Sequence, residues 1–173
     1  MRIIKKMFYK IYIMFISNNK YVDFLRQQGV KIGKDCYIEK NVVFGSEPYL
    51  ISIGNNVRLT NNVQFFNHDG SVWVLRNLGK VSKSADMIGK IKIGNNVNIG
   101  WNVMIMPNVV IGDNVIIGAG AIVTKDIPSN SVAVGVPARV IETIDEYYEK
   151  NKNNFLNTKN MTKTEKKEFL KKI

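Results

Sequence analysis

Residues 91–127 read IKIGNNVNIGWNVMIMPNVVIGDNVIIGAGAIVTKDI, and an aliphatic residue stands at every sixth position of this stretch. The first set is Ile93, Ile99, Ile105, Ile111, Ile117 and Val123, and a second set follows it by four residues at Val97, Val103, Val109, Val115, Ala121 and Ile127. A period of six fits neither the 3.6-residue turn of a helix nor the two-residue period of a flat sheet. A six-residue unit cannot bury its own apolar face, so it is stable only when stacked on its neighbours. The stretch predicts a mainly β fold, a parallel β-helix in which three units form one triangular coil.

The unit also carries a glycine after the first aliphatic residue and Asn or Asp beside it, as in Ile93-Gly94-Asn95-Asn96-Val97. These residue types tolerate a positive φ angle. We therefore expect the corners of the coil at these positions.

The same pattern occurs earlier in two other phases, at Ile32, Ile38 and Phe44 and at Ile53, Leu59 and Phe65. The step between the two phases has three extra residues, which predicts a small bulge at residues 46–49. The step from Phe65 to Ile93 leaves four residues beyond whole repeats, so residues 69–92 must leave the coil as a long loop. Loops of this length are usually functional or disordered. The run from Trp73 to Arg76 is too apolar for simple disorder.

The repeat region spans residues 30–141 and has a flank on each side. The first flank, residues 1–29, is basic and apolar, with a second helix expected from Tyr21 to Gln28. The last flank, residues 142–173, has no sixfold pattern. There we expect a short helix from Glu142 to Lys150 and a final helix that starts at the capping box Thr162-Lys163-Thr164-Glu165. Solenoids need such caps to close their ends.

The formal net charge of +11 is concentrated at the N-terminus, where residues 1–34 hold eight Lys and Arg against one Asp. This local excess argues against nucleic acid as a partner. As a helix, residues 1–16 would place Arg2, Lys6 and Lys10 along a broad apolar surface. The segment resembles the start of a signal peptide, but Lys10 interrupts the apolar run and no convincing cleavage site follows. Two interpretations stay open with equal weight: a helix packed on the protein, or peripheral contact with an anionic membrane.

The location of the protein follows from two further features. No apolar run reaches the roughly 20 residues of a membrane-spanning helix. Cys36 is the only cysteine, which rules out an intrachain disulfide, and it occupies a repeat position typical of small packed residues. We expect a cytoplasmic protein, with the inner face of the cell membrane as the site of any peripheral contact.

Residues 30–141 resemble the hexapeptide-repeat acyltransferases, the left-handed β-helix family of acetyl-CoA-dependent O- and N-acetyltransferases. The most specific parts are residues 93–97, 117–121, 123–128 and 135–141, which are similar to the C-terminal half of maltose, galactoside and capsular-sugar acetyltransferases. The handedness of the coil comes from this resemblance alone. The resemblance also implies acetyl-CoA as the donor, a sugar or glycan acceptor, and a homotrimer with active sites between subunits.

His68 is the only histidine, and it stands where the coil gives way to the long loop. A lone histidine is more often structural than catalytic. Acetyl transfer to a hydroxyl or amine, however, requires a general base, and the family places its catalytic histidine just before such a loop. The resemblance therefore implies that His68 is the general base of a direct transfer. Asp69 either orients the imidazole or makes an ordinary turn with Gly70.

Three further residues are candidates for the acceptor site. Asn67 either binds acceptor hydroxyls or occupies a corner of the coil. Trp73 and Arg76 either form an acceptor wall or anchor the loop on an adjacent subunit.

The donor site is also placed by resemblance. Coenzyme A needs small residues along its pantetheine arm and cations at its nucleotide end. The matching positions are Gly118, Ala119, Thr124, Lys125 and Arg139. Two positions depart from the family. Trp101 stands where many relatives have Ser or Ala near the thioester, and Glu142 stands where some have a second Arg.

Other functions of the same fold are weighed by composition. The γ-class carbonic anhydrases hold zinc with three histidines, whereas this chain has one, so we expect no metal site. A non-catalytic β-helix that serves as a scaffold in glycan assembly is an alternative. So is an acetyltransferase that acts on an antibiotic or on a nucleotide-linked amino sugar.

Overall fold

The computed structural model describes residue 13 and residues 15–173. The predictions for the basic segment at residues 1–12, including its membrane contact, lie outside this part of the chain. The described chain begins with helix α1 (Asn18–Gln27), and thirteen short strands follow in three sheets. None of the described helices is long and apolar enough to cross a membrane.

The three sheets are the three faces of a triangular β-helix. Sheet A holds, in spatial order, β1 (Lys31–Ile32), β3 (Ile51–Ile53), β6 (Ile91–Ile93) and β9 (Val110–Ile111). Sheet B holds β2 (Tyr37–Ile38), β4 (Val57–Leu59), β7 (Val97–Ile99), β10 (Val115–Ile117), β12 (Ser131–Val134) and β13 (Arg139–Thr143). Sheet C holds β5 (Gln64–Phe65), β8 (Met104–Ile105) and β11 (Ile122–Val123). Only the pair of β12 and β13 is antiparallel among these strands.

The strand register confirms the phases expected from the repeat. Val97 lies opposite Val115, so an uninterrupted coil takes 18 residues, or three six-residue units. Tyr37 lies opposite Arg58, three residues more than one coil, because a 3₁₀ turn at Pro48–Leu50 takes up the extra length. Val57 lies opposite Val97, which makes that coil 40 residues long because it contains the long loop.

The core of the β-helix is a column of aliphatic side chains. Strands of the type Ile91-Lys92-Ile93 turn two apolar residues inward and the middle residue outward, and both members of every repeat from Ile93 to Ile127 are buried. At the N-terminal end the rings of Phe44 and Phe65 stack with centroids 5.2 Å apart. Helix α1 covers this end with its buried apolar face. Each coil therefore depends on its neighbours for the shielding of its core.

Asparagine and aspartate occupy the left-handed corners. Every described non-glycine residue with positive φ is one of these two types, namely Asp35, Asn56, Asn62, Asn96, Asn102, Asn108, Asn114 and Asn130. Four of them form a ladder of side-chain amides from Asn56 through Asn96 and Asn114 to Asn130, with distances of 2.8 to 2.9 Å. The expected role of the glycine was wrong. Gly94 does not have positive φ, and a Cβ there would come within 2.6 Å of the Gly112 carbonyl oxygen, so glycine is needed for space between coils.

The C-terminal flank differs in one respect from the prediction. The chain forms strand β13 up to Thr143, and helix α3 (Ile144–Asn151) begins later than expected because Thr143 and Glu146 form its capping box. By pairing with β12, β13 covers the last edge of sheet B. A 3₁₀ turn (Lys152–Asn154) follows, and helix α4 (Lys163–Leu170) starts at the predicted capping box of Thr162 and Glu165.

Two neighbouring substitutions in β6 test the stacked core. Ile91 is fully buried whereas Lys92, the next residue, is exposed. We expect Ile91→Ala to cost about 2–5 kcal/mol of stability, because it leaves a cavity between coils. Lys92→Ala should change stability by less than about 0.5 kcal/mol. Thermal and denaturant unfolding measure both, and equal effects would contradict the inward column.

Candidate active site

His68 lies at the corner between sheets C and A, where the chain leaves the coil. Two backbone hydrogen bonds close the neck of the loop: the N–H of Asp69 donates to Met87 O and the N–H of Gly89 donates to Asn67 O, both at 2.8 Å. Between them His68 and Ile88 form an antiparallel bridge. The backbone of His68 is thus fixed on both sides, although its side chain is 41% exposed.

Asn67 serves the corner. Its side chain is fully buried, and its amide donates to Glu47 O at 2.6 Å while its Oδ1 accepts from the Glu47 N–H at 3.5 Å. An amide that is buried and bonded in this way holds the bulge at residues 46–49 against the loop neck. The geometry favours the corner over acceptor binding.

The carboxylate of Asp69 points into its own turn. Its Oδ1 accepts the Ser71 N–H at 2.8 Å, and this hydrogen bond is the main cause that lowers the pKa of Asp69. The described carboxylate that faces the imidazole is that of Asp86, with 3.7 Å between His68 Nε2 and Asp86 Oδ1. Asp86 was not among the sequence candidates, because the repeat pattern does not show how the loop folds back.

The loop contains a short helix, α2 (Val72–Asn77), that carries the two other acceptor candidates. The Arg76 side chain turns inward within the loop: its Nε donates to Ala85 O at 2.7 Å, and its guanidinium pairs with the Asp86 carboxylate. Trp73 is 66% exposed on the same helix. Arg76 therefore closes the loop of its own chain, and Trp73 is the member of the pair available to other molecules.

The outer surface of sheet C connects the predicted donor residues to His68. In the register of this sheet Gln64, Met104 and Ile122 succeed one another, and a bridge adds Val43 next to Gln64. We call this column face C. Two donor candidates, Thr124 and Lys125, follow β11 on the same corner that carries His68 after β5. Strands of a sheet are about 4.8 Å apart, so this corner spans about 10 Å between the two coils.

The other donor candidates border face C on its opposite side. Trp101 and Ala119 are stacked on the corner between sheets B and C, next to Gly118, and the Gly120 N–H donates to Trp101 O at 2.7 Å. Arg139 enters from the last coil, where the Ala138 N–H donates to Ile122 O at 2.8 Å. The structure thus brings the predicted donor residues together along one face.

The charges at the C-terminal end of face C are positive. Lys125 and Arg139 are exposed, and neither forms an ion pair with any residue in the described part of the chain. Glu142, which replaces an arginine of some relatives, is bound to its own flank through Lys150 Nζ at 2.6 Å. Two cations without ion-pair partners fit a phosphate-bearing ligand.

A cavity of about 160 Å³ lies beside His68 at the other end of face C. Its lining includes Val43, Ser46, Gln64 and Phe66, which combine apolar surface with a hydroxyl and an amide. A larger open cavity of about 350 Å³ lies on sheet B around Arg58 and Asn98, and none of the predicted site residues lines it. Among the described residues no three His, Cys, Asp or Glu side chains form a group that could hold a metal ion.

Known proteins share both the sequence pattern and the fold. The model of the bacterial transferase hexapeptide (six repeats) matches residues 90–125. The chain is 43% identical over 164 residues to Protein CapG of Staphylococcus aureus, and the match covers 93% of each protein. A maltose O-acetyltransferase from Clostridium difficile 630 is 35% identical, with a TM-score of 0.57 over 78% of this chain and 81% of that one. This chain belongs to the hexapeptide-repeat acetyltransferase family.

A further member of the family has been solved with its donor. This hexapeptide-repeat acetyltransferase from Vibrio cholerae O1 biovar eltor, complexed with acetyl coenzyme A, is 28% identical; the TM-score is 0.59 over 67% of this chain and 61% of that one. Membership confirms the left-handed coil and the acetyltransferase class that the resemblance implied. The roles of the individual site residues remain predictions.

Asp69→Asn separates the two interpretations of Asp69. An asparagine oxygen can accept the Ser71 N–H as the carboxylate does, so the turn survives while the charge is lost. We expect acetyl transfer close to that of the unaltered enzyme, and a lower melting temperature for Asp69→Ala. A loss of about 10²-fold or more in Asp69→Asn would assign the carboxylate to acid–base chemistry instead.

Proposed function

We propose that the protein transfers an acetyl group from acetyl-CoA to a hydroxyl of a sugar or of a surface-glycan precursor, with His68 as the general base. The observation that carries the proposal is the position of the only histidine of the chain. It lies beside a cavity at one end of face C, and two cations without ion-pair partners lie at the other end.

The reaction is a direct transfer between two bound substrates. His68 removes the proton of the acceptor hydroxyl, and the oxygen forms a bond to the thioester carbonyl carbon. A backbone N–H of a neighbouring coil stabilises the oxyanion. The carbon–sulfur bond then breaks, and the thiolate of coenzyme A takes up the proton from the imidazolium.

A covalent acyl-enzyme is not part of this scheme. Ser71 is close to His68 in sequence, but the chain has no second histidine to activate it. Cys36 lies in the first coil, where its thiol is 3.2 Å from Gly54 O, and it belongs to no described part of the candidate site. Both nucleophilic side chains are therefore left out of the mechanism.

The donor lies along face C with its nucleotide end toward Lys125 and Arg139. The side chains facing outward in this column, Met104 and Ile122, carry no charge, which suits the uncharged pantetheine arm. Gly118 and Ala119 keep the adjacent corner low, while the exposed ring of Trp101 narrows it. The thioester then reaches the coil of His68, which lies at the same corner as Lys125.

The acceptor lies over the cavity beside His68. Ser46 and Gln64 offer hydrogen-bonding groups for sugar hydroxyls, and Phe66 offers an aromatic surface for a sugar ring. The maltose O-acetyltransferase title of a structural relative supports a sugar as the acceptor class. Face C is open in a single chain. We propose that a homotrimer completes the site, with the exposed Trp73 of a neighbouring loop over the acceptor.

His68→Ala tests the proposal, with Ser71→Ala as the matched control from the same loop neck. Release of free thiol from acetyl-CoA is measured with maltose, a β-galactoside and an N-acetylated amino sugar as acceptors. With the best acceptor we expect His68→Ala to lose about 10²–10⁴-fold in rate, because the base is gone. Ser71→Ala should retain its rate.

Two results would contradict the proposal. One is near-full turnover by a folded His68→Ala protein, which would remove His68 as the base. The other is the absence of sugar-dependent thiol release from the unaltered protein, together with no binding of acetyl-CoA, which would favour a non-catalytic scaffold.

A further inference from the structure

The neck of the loop brings a carboxylate to the imidazole of His68. His68 lies opposite Ile88 in the antiparallel bridge, so Asp86, two residues before Ile88, projects to the same side of this pair of segments. Diagonal neighbours of this kind are within reach of each other's side chains. His68 Nε2 and Asp86 Oδ1 are accordingly 3.7 Å apart, and both side chains are about half exposed.

Arg76 fixes Asp86 at this place. Its Nε donates to Ala85 O at 2.7 Å, and its terminal nitrogen pairs with Asp86 Oδ1, the same oxygen that faces His68. The planar guanidinium thus grips two consecutive residues, and its side chain is itself only 22% exposed. A carboxylate held in this way loses little further freedom when it acts on the imidazole.

We propose that Asp86 is a positioning residue for His68 and that Arg76 holds it in place, an inference that rests on the proposed role of His68 as the base. His68 becomes positively charged when it takes the acceptor proton. A carboxylate within 4 Å stabilises that charge and aligns the ring, while no bond to Asp86 forms or breaks. Arg76 then belongs to the support of the base rather than to an acceptor wall.

A purely structural ion pair would give the same contacts, so the test must separate closing the loop from acting on His68. Exchanging the two charges, in the double variant Arg76→Asp with Asp86→Arg, keeps an ion pair across the loop. It also places a cation beside the imidazole. Asp86→Asn and Asp86→Glu remove and conserve the carboxylate, and Lys83→Ala is the control from the same exposed segment.

The expected kinetic result is a loss of kcat without a change in the KM for acetyl-CoA. Asp86→Asn should lower kcat about tenfold, since a half-exposed carboxylate is partly screened by water. Asp86→Glu should restore part of the rate. The exchanged double variant should resist proteolysis in the loop as the unaltered protein does and yet remain impaired. Full activity of the double variant, or of Asp86→Asn, would overturn the proposal.

A second measurement is independent of turnover. Because the chain has one histidine, its ¹⁵N-labelled imidazole gives a single set of NMR resonances. We expect Asp86→Asn to shift these resonances and Lys83→Ala to leave them unchanged. If His68→Ala is inactive while Asp86→Asn is fully active with unshifted resonances, the role of Asp86 is wrong and the proposed function stands. If His68→Ala is active, the proposed function itself fails.

Discussion

The structure depends on the in-register stacking of coils over a common aliphatic column. Each strand has only two to five residues and is held by the strand 18 residues away along the chain in an uninterrupted coil. A shift by one residue would turn the inward side chains outward. Extra residues can therefore be accommodated only where a strand ends. The chain has one short insertion and one long one, and both leave the coil at such points.

The candidate site follows from this constraint. The long insertion leaves beside β5, and its neck is closed by hydrogen bonds on either side of His68, so the rigid coil fixes the backbone of the proposed base. The remaining groups lie on the same face because stacked coils repeat their geometry. Face C then separates the functions by height: a polar and apolar cavity beside His68, an uncharged middle, and cations at the last coil.

Much of the fold could be predicted from the sequence because its signal is periodic. The inward positions, the bulge at residues 46–49, the loop after the coil of Phe65 and the capping box at Thr162 are local or repeated features. Strand β13 was missed because its pairing partner, not its own sequence, determines it. Asp86 was missed, and Arg76 was given two interpretations, because the fold-back of a non-repetitive loop has no period. Gly94 was assigned a backbone role although its neighbours require space.

The central claim is that His68 and the donor residues form one site along face C. A crystal structure of the protein with coenzyme A bound tests it most directly. The account predicts the phosphates beside Lys125 and Arg139, the pantetheine arm along face C, and the sulfur at the coil of His68, next to the cavity of about 160 Å³. Coenzyme A bound on another face, or with its sulfur remote from His68, would contradict the account.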